Sequence, residues 1–273
     1  MIIGSISDRH FDSELDTNVC NADTNANLTL FFRIFLQRYD PPGGAGMVNE
    51  WGGTPRAVTA WPEHEWRHFC RRYQTETQDY WNGRFWLVTP DSFTELDWNP
   101  PSPTHRPNVY CRVRVSLVTS ALNAHHTIRC VHLASTTRSF RSDSGNYDSR
   151  DLDGGTHADP GDPTDHHVYR QHAHLHEFGH LLGLGHSSQH RPQCAATGVA
   201  AGGGSICYGF NGAESNDVMG VGESRHEWHA EPWMRRMQAH TGIDMYAWGP
   251  LMRRVYPRPL SALAHYRMGR QRS

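Results

Sequence analysis

The sequence predicts a mixed α/β (α+β) fold, and three observations predict it. Apolar, β-rich runs recur at residues 28–36, 85–89, 109–118 and 127–134. An aromatic stripe at helical spacing separates the first run from the second. A histidine-bearing segment around residue 176 repeats at four-residue spacing and stops at a glycine.

Residues 1–27 are polar and carry weak structure signals. The run at 28–36 reads as a buried strand, closed by Pro41, Pro42, Gly43 and Gly44. Trp61 and Pro62 open a helix with proline in its first turn. Trp66, Phe69, Tyr73, Thr77 and Tyr80 then recur to about Trp81, which makes this stripe a core face. Residues 85–89 give a second strand. A loop containing Pro100, Pro101, Pro103 and Pro107 leads to the third strand, at 109–118, and 127–134 is the fourth. An acidic loop follows, with Asp148, Asp151, Asp153, Gly154, Gly155, Asp159, Asp162 and Asp165. Oxygen ligands around glycines suit calcium, chiefly at Asp148, Asp151 and Asp153; the alternative is a solvated acidic turn that favours the next helix N-terminus. Thr164 or Asp165 is the expected N-cap. Residues 200–205 form a glycine-rich loop. Glu231, Pro232 and Trp233 begin a last helix ending near Gly242. Beyond Asp244 stand six arginines and no acidic side chain, a solvated or anion-contacting tail.

The strongest pattern is His176-Glu177-Phe178-Gly179-His180-Leu181-Leu182-Gly183-Leu184-Gly185-His186, or H-E-x-x-H-x-x-G-x-x-H. His176 and His180 project from one helix face. Gly183 can take the left-handed conformation that turns the chain back, so His186 reaches the same point from outside the helix. Three neutral ligands leave a position open on a catalytic zinc. Glu177 faces slightly aside and can act on water without binding the metal. Among the extra histidines His166, His167, His172 and His174, His172 lies one turn before His176 and is the main rival ligand.

The motif, together with Met219 downstream, resembles the metzincin clan of zinc endopeptidases, and HEFGHLLGLGHSS looks most like the active-site helix of the matrixins. The resemblance implies His176, His180 and His186 as zinc ligands, Glu177 as general base and Met219 as the methionine of a tight turn beneath the metal. It implies a metzincin-like zincin fold with a twisted mixed sheet, two long helices and a smaller C-terminal subdomain, with the last helix under the methionine turn. The fourth strand would be the antiparallel edge lining the cleft, where extended substrate adds as a strand. One catalytic domain over residues 1–273 is then expected, with an upper subdomain at about 28–186, a lower one at about 187–249 and a basic tail at about 250–273. Substrate preference would be shaped by 206–224. The sequence departs from the clan in two places. Met219 lies 33 positions after His186, a longer link than in matrixins. Val221 stands where astacin-like and serralysin-like members place a tyrosine ligand. The early Cys20 does not sit in a matrixin-like latency motif.

Composition narrows the partners. A net charge of −2 gives no case for nucleic acid, and no apolar run approaches membrane-spanning length; a polypeptide substrate is what the resemblance implies. The start lacks a basic segment and a long apolar one, so no secretory signal is visible; secretion with a removed signal and delivery as an effector both fit. Of six cysteines, Cys194 and Cys207 bracket the glycine-rich loop and are expected to bridge. Cys111 and Cys130 lie on strands that could be neighbours; Cys20 and Cys70 remain. All 26 basic residues are arginine, from arginine-rich codon usage or from selection against ubiquitination in a host cytosol. A zinc hydrolase of a non-protein amide and a non-catalytic binding module are the rival readings.

Overall fold

The computed structural model describes residues 3–17, 26–50, 52–90, 108–137, 140–160, 167–192, 194 and 207–252. The fold is mixed α/β with a twisted, mostly antiparallel sheet. Its chain divides into two compact units, each assembled from separated segments.

The first unit comprises Met1–Phe31, Trp81–Arg114 and Glu227–Ser273. Strands β1 (Ile3–Ile6) and β2 (Asp12–Asp16) pair antiparallel, and β2 pairs in turn with the start of β3 (Ala26–Tyr39). Residues 3–17 therefore carry more structure than their polarity suggests. Along β2, Ser13 and Leu15 turn inward while Asp12, Glu14 and Asp16 are half-exposed, a period-two alternation. The second and third expected strands appear as β6 (Phe85–Val88) and β7 (Asn108–Leu117), paired antiparallel. The expected last helix is Glu231–Thr241, closed by Gly242 in the left-handed region at φ 71°. It buries Trp233, whose ring lies 5.5 Å from Phe85 and whose Nε1 donates to the Arg112 carbonyl at 3.0 Å. Gly249–Leu251 pairs antiparallel with β6, where Leu251 packs on Val88. The remaining tail, from 253, lies outside the described residues.

The second unit comprises Phe32–Tyr80 and Val115–His226. Here the far half of β3 runs parallel to β8 (His126–Leu133), the fourth expected strand. β8 is not an antiparallel edge. It pairs in parallel with β3 and with β9 (Asn146–Asp148), and its end pairs antiparallel with β5 (Pro55–Thr59). Local β-propensity marks a strand but not its neighbours, which come from 17 to over 90 residues away. β4 (Ala45–Asn49) pairs only with β5 among the described strands. Helix α1 (Glu63–Trp81) matches the aromatic stripe: Phe69, Tyr73 and Thr77 are buried at four-residue spacing. Trp61, just before it, packs on Phe69 and donates from Nε1 to the Cys130 carbonyl.

Strands β10 (Gly155–Ala158) and β11 (Val168–Gln171) form a hairpin. The histidine helix, α2 (Ala173–Leu181), therefore begins later than Thr164 or Asp165 would place it. Those two lie outside the described residues, and His172 occupies the N-cap. The cause is local: Val168 and Tyr169 favour an extended backbone and pair with β10. α2 is held by its apolar face, with Phe178 buried 4.7 Å from the Phe32 ring. Cys194 and Cys207 form a disulfide. Cys70, Cys111 and Cys130 are free thiols, while Cys20 lies outside the described residues. Among the described residues no helix is long and apolar enough to cross a membrane.

Candidate metal centre

α2 ends where glycine lets the chain turn back. Gly183 has φ 91°, Leu184 N donates to the Gly179 carbonyl, and the Leu184 carbonyl accepts from His180 Nδ1 at 2.9 Å. One turn thus closes the helix and fixes an imidazole. His176 is fixed from elsewhere: its Nδ1 donates to the Val218 carbonyl at 2.8 Å. Both bonds place the hydrogen on Nδ1 and leave the Nε2 lone pair free.

The Nε2 lone pairs converge. His180 Nε2 lies 3.2 Å from His176 Nε2 and 3.1 Å from His186 Nε2. Ligands about 2.0–2.1 Å from a tetrahedral metal stand about 3.3–3.4 Å apart, so the spacing fits a common ion. Burial holds all three rings neutral: it keeps His176 well below the ordinary imidazole range, lowers His180 and takes His186 down to about 3. Neutral imidazole is the ligating form. His176, His180 and His186 could therefore hold a metal ion, and they are the one such group among the described residues.

The segment after Asp217 supports this arrangement. Met219 is fully buried in a turn where Gly220 N donates to the Asp217 carbonyl and Met219 N to Asp217 Oδ1. The Met219 carbonyl accepts from Ser187 N at 3.0 Å, directly after His186. Gln171 Nε2 donates to the Gly220 carbonyl at 2.6 Å.

A cavity of about 560 Å³ opens on His180 and His186, lined also by Asp143, Ser144, Glu177, Gln189 and Tyr208. Glu177 Oε2 accepts from Ser144 Oγ at 2.9 Å. Burial pushes its carboxyl up to about 8, against the lowering effect of that hydrogen bond. From 206–224 the lining takes Tyr208 alone; residues 142–144 supply wall that motif spacing did not reveal. Tyr208 had one local signal, its position next to Cys207.

Other histidines stay apart from the group. His172 Nδ1 pairs with the Glu223 carboxylate. His174 is buried, with Nδ1 on the Asp151 carbonyl at 3.0 Å, and His167 packs on Tyr169; His166 lies outside the described residues. No three carboxylates of the acidic loop come together as a group among the described residues. Asp151 accepts from Asp148 N and Ser142 Oγ, Asp148 from Arg150 N, Asp153 pairs with Arg72, and Asp159 accepts from Ser215 Oγ. These carboxylates are already used by the fold; Asp162 and Asp165 lie outside the described residues.

Comparisons with protein-family models, curated proteins and solved structures find no match to this chain.

Proposed function

We propose that this chain is a metzincin-type zinc endopeptidase in which His176, His180 and His186 hold the zinc and Glu177 is the general base. The observation that carries the reading is the convergence of three Nε2 atoms beside a carboxylate on one cavity. Zinc, when bound, supplies Lewis-acid polarisation of a carbonyl and acidifies water. Glu177 Oε1 or Oε2 takes a proton from the attacking water as its oxygen bonds to the scissile carbon. The same carboxyl delivers that proton to the amine nitrogen as the C–N bond breaks. A cation beside Glu177 favours the ionised carboxylate that this role needs. Ser144 orients the carboxylate through its 2.9 Å bond. Met219 shapes the floor of the ligand group through the Ser187 and Val218 backbone contacts and does not itself ligate. The Cys194–Cys207 bridge suits an oxidising compartment, so we place the working protein outside the cell that makes it, secreted or delivered as an effector.

Casein digestion by zinc-loaded protein tests the reading together with Glu177→Gln. The variant should keep one zinc per chain and lose at least about 100-fold in turnover. Near-normal digestion by the zinc-loaded variant would remove Glu177 from the reaction. Intact casein alongside cleavage of a non-protein amide would move the reading to that substrate class.

A further inference from the structure

Tyr208 stands in the cavity with no part in the reaction described above. Its ring centroid lies 4.1 Å from that of His186 and 5.7 Å from that of His176. It shares the cavity lining with Glu177 and Ser144. Tyr208 and the preceding Cys207 are tied at three points. Ser187 Oγ donates to the Tyr208 carbonyl at 3.0 Å, Ser188 N donates to the Cys207 carbonyl at 3.1 Å, and Cys207 is bridged to Cys194. The two serines that follow His186 thus lock this wall to the histidine group.

Packing alone does not need the hydroxyl, because a phenylalanine ring would cover His186 equally well. The phenol makes no hydrogen bond to any described residue, although the Tyr208 carbonyl does. A phenol carries an O–H, so Tyr208 is a rigidly mounted hydrogen-bond donor in a polar cavity.

We propose that Tyr208 is a catalytic residue whose hydroxyl donates a hydrogen bond to the scissile carbonyl oxygen as negative charge builds on it. The proposal rests on the endopeptidase reading. Such a donor is worth more in the transition state than in the bound substrate, because the oxygen it meets becomes more negative. Its mounting needs no reorganisation during the reaction, which is the condition under which one donor contributes about 100- to 1000-fold to kcat.

The test compares wild type, Tyr208→Phe and Tyr208→Ala, all zinc-loaded, on the casein-derived peptide that wild type cleaves fastest. Calorimetry then measures binding of a phosphinic analogue of that peptide, whose tetrahedral oxygens resemble the transition state. Tyr208→Phe should retain one zinc and the wild-type melting temperature. Its KM should stay within about threefold, while kcat falls and the phosphinic Kd weakens by about 100-fold each. Unchanged kcat and phosphinic affinity in Tyr208→Phe, with loss only in Tyr208→Ala, would reduce the residue to ring packing and overturn the proposal. A zinc-loaded wild type that cleaves no peptide and binds no phosphinic peptide would overturn the endopeptidase reading itself, an outcome distinct from an active wild type matched by Tyr208→Phe.

Discussion

Two clusters of buried titratable side chains in the second unit are built in opposite senses. His176 and His180 turn their Nδ1 hydrogens onto carbonyls and leave Nε2 lone pairs facing one another and His186. Asp148 and Asp151 turn their oxygens onto backbone amides and the Ser142 hydroxyl. Both clusters are perturbed by burial, which lowers the imidazoles and raises the carboxyls. Perturbation alone therefore does not separate a binding group from a structural one; the direction of the spare lone pairs does.

Substitutions in each cluster should give opposite phenotypes. His180→Ala removes a converging donor, so zinc affinity should fall by more than the about 10- to 100-fold typical of losing a supporting hydrogen bond. Metal analysis should show the loss while the melting temperature of the metal-free protein barely moves. Unchanged zinc stoichiometry at limiting zinc would erase the distinction. A double Cys194→Ser, Cys207→Ser variant lies between the two, because the bridge closes a 14-residue loop beside Tyr208. Such a loop is worth about 3 kcal/mol in the chain-entropy model. Denaturant unfolding checks it, and an unchanged midpoint would leave the bridge without a stabilising role.

Asp148→Asn probes the structural cluster by pH. Burial raises the Asp148 carboxyl to about 6 in the folded chain. A raised pKa means the folded state holds the proton more tightly than the unfolded one. The contribution is therefore present below an ordinary carboxyl pKa near 4 and disappears as pH rises through about 6, on the order of 2–3 kcal/mol. Wild type should lose stability relative to Asp148→Asn between pH 4 and about 7, with zinc stoichiometry the same in both. Parallel stability curves would show that the carboxyl does not titrate in this window. The smallest effect is expected at Glu223→Gln. It breaks a partly exposed pair with His172, worth about 0–1 kcal/mol, and should leave zinc binding intact. A large loss of zinc there would bring His172 back as a ligand.

How much of this was readable in the chain follows the range of the interactions. The spacing of His176, His180, Gly183 and His186 is settled within three helical turns, and Gly183 adopts the left-handed turn expected of it. Phe69, Tyr73 and Thr77 likewise declare the buried face of α1. The strand at 126–133 was readable as a strand, yet its interior place was not, since its partners come from distant segments. Ser144 was missed for the same reason, and Tyr208 was reached only as one position within the span 206–224. Neither sits at a motif spacing, and each reaches the cavity only through long-range pairing and the disulfide.

Anomalous scattering at the zinc edge, from crystals of the zinc-loaded protein, separates the two clusters in one measurement. A single peak about 2.0–2.1 Å from Nε2 of His176, His180 and His186 is the expected result. A peak on His172 or on the Asp148 and Asp151 carboxylates, or no peak at all, would contradict the three-histidine centre.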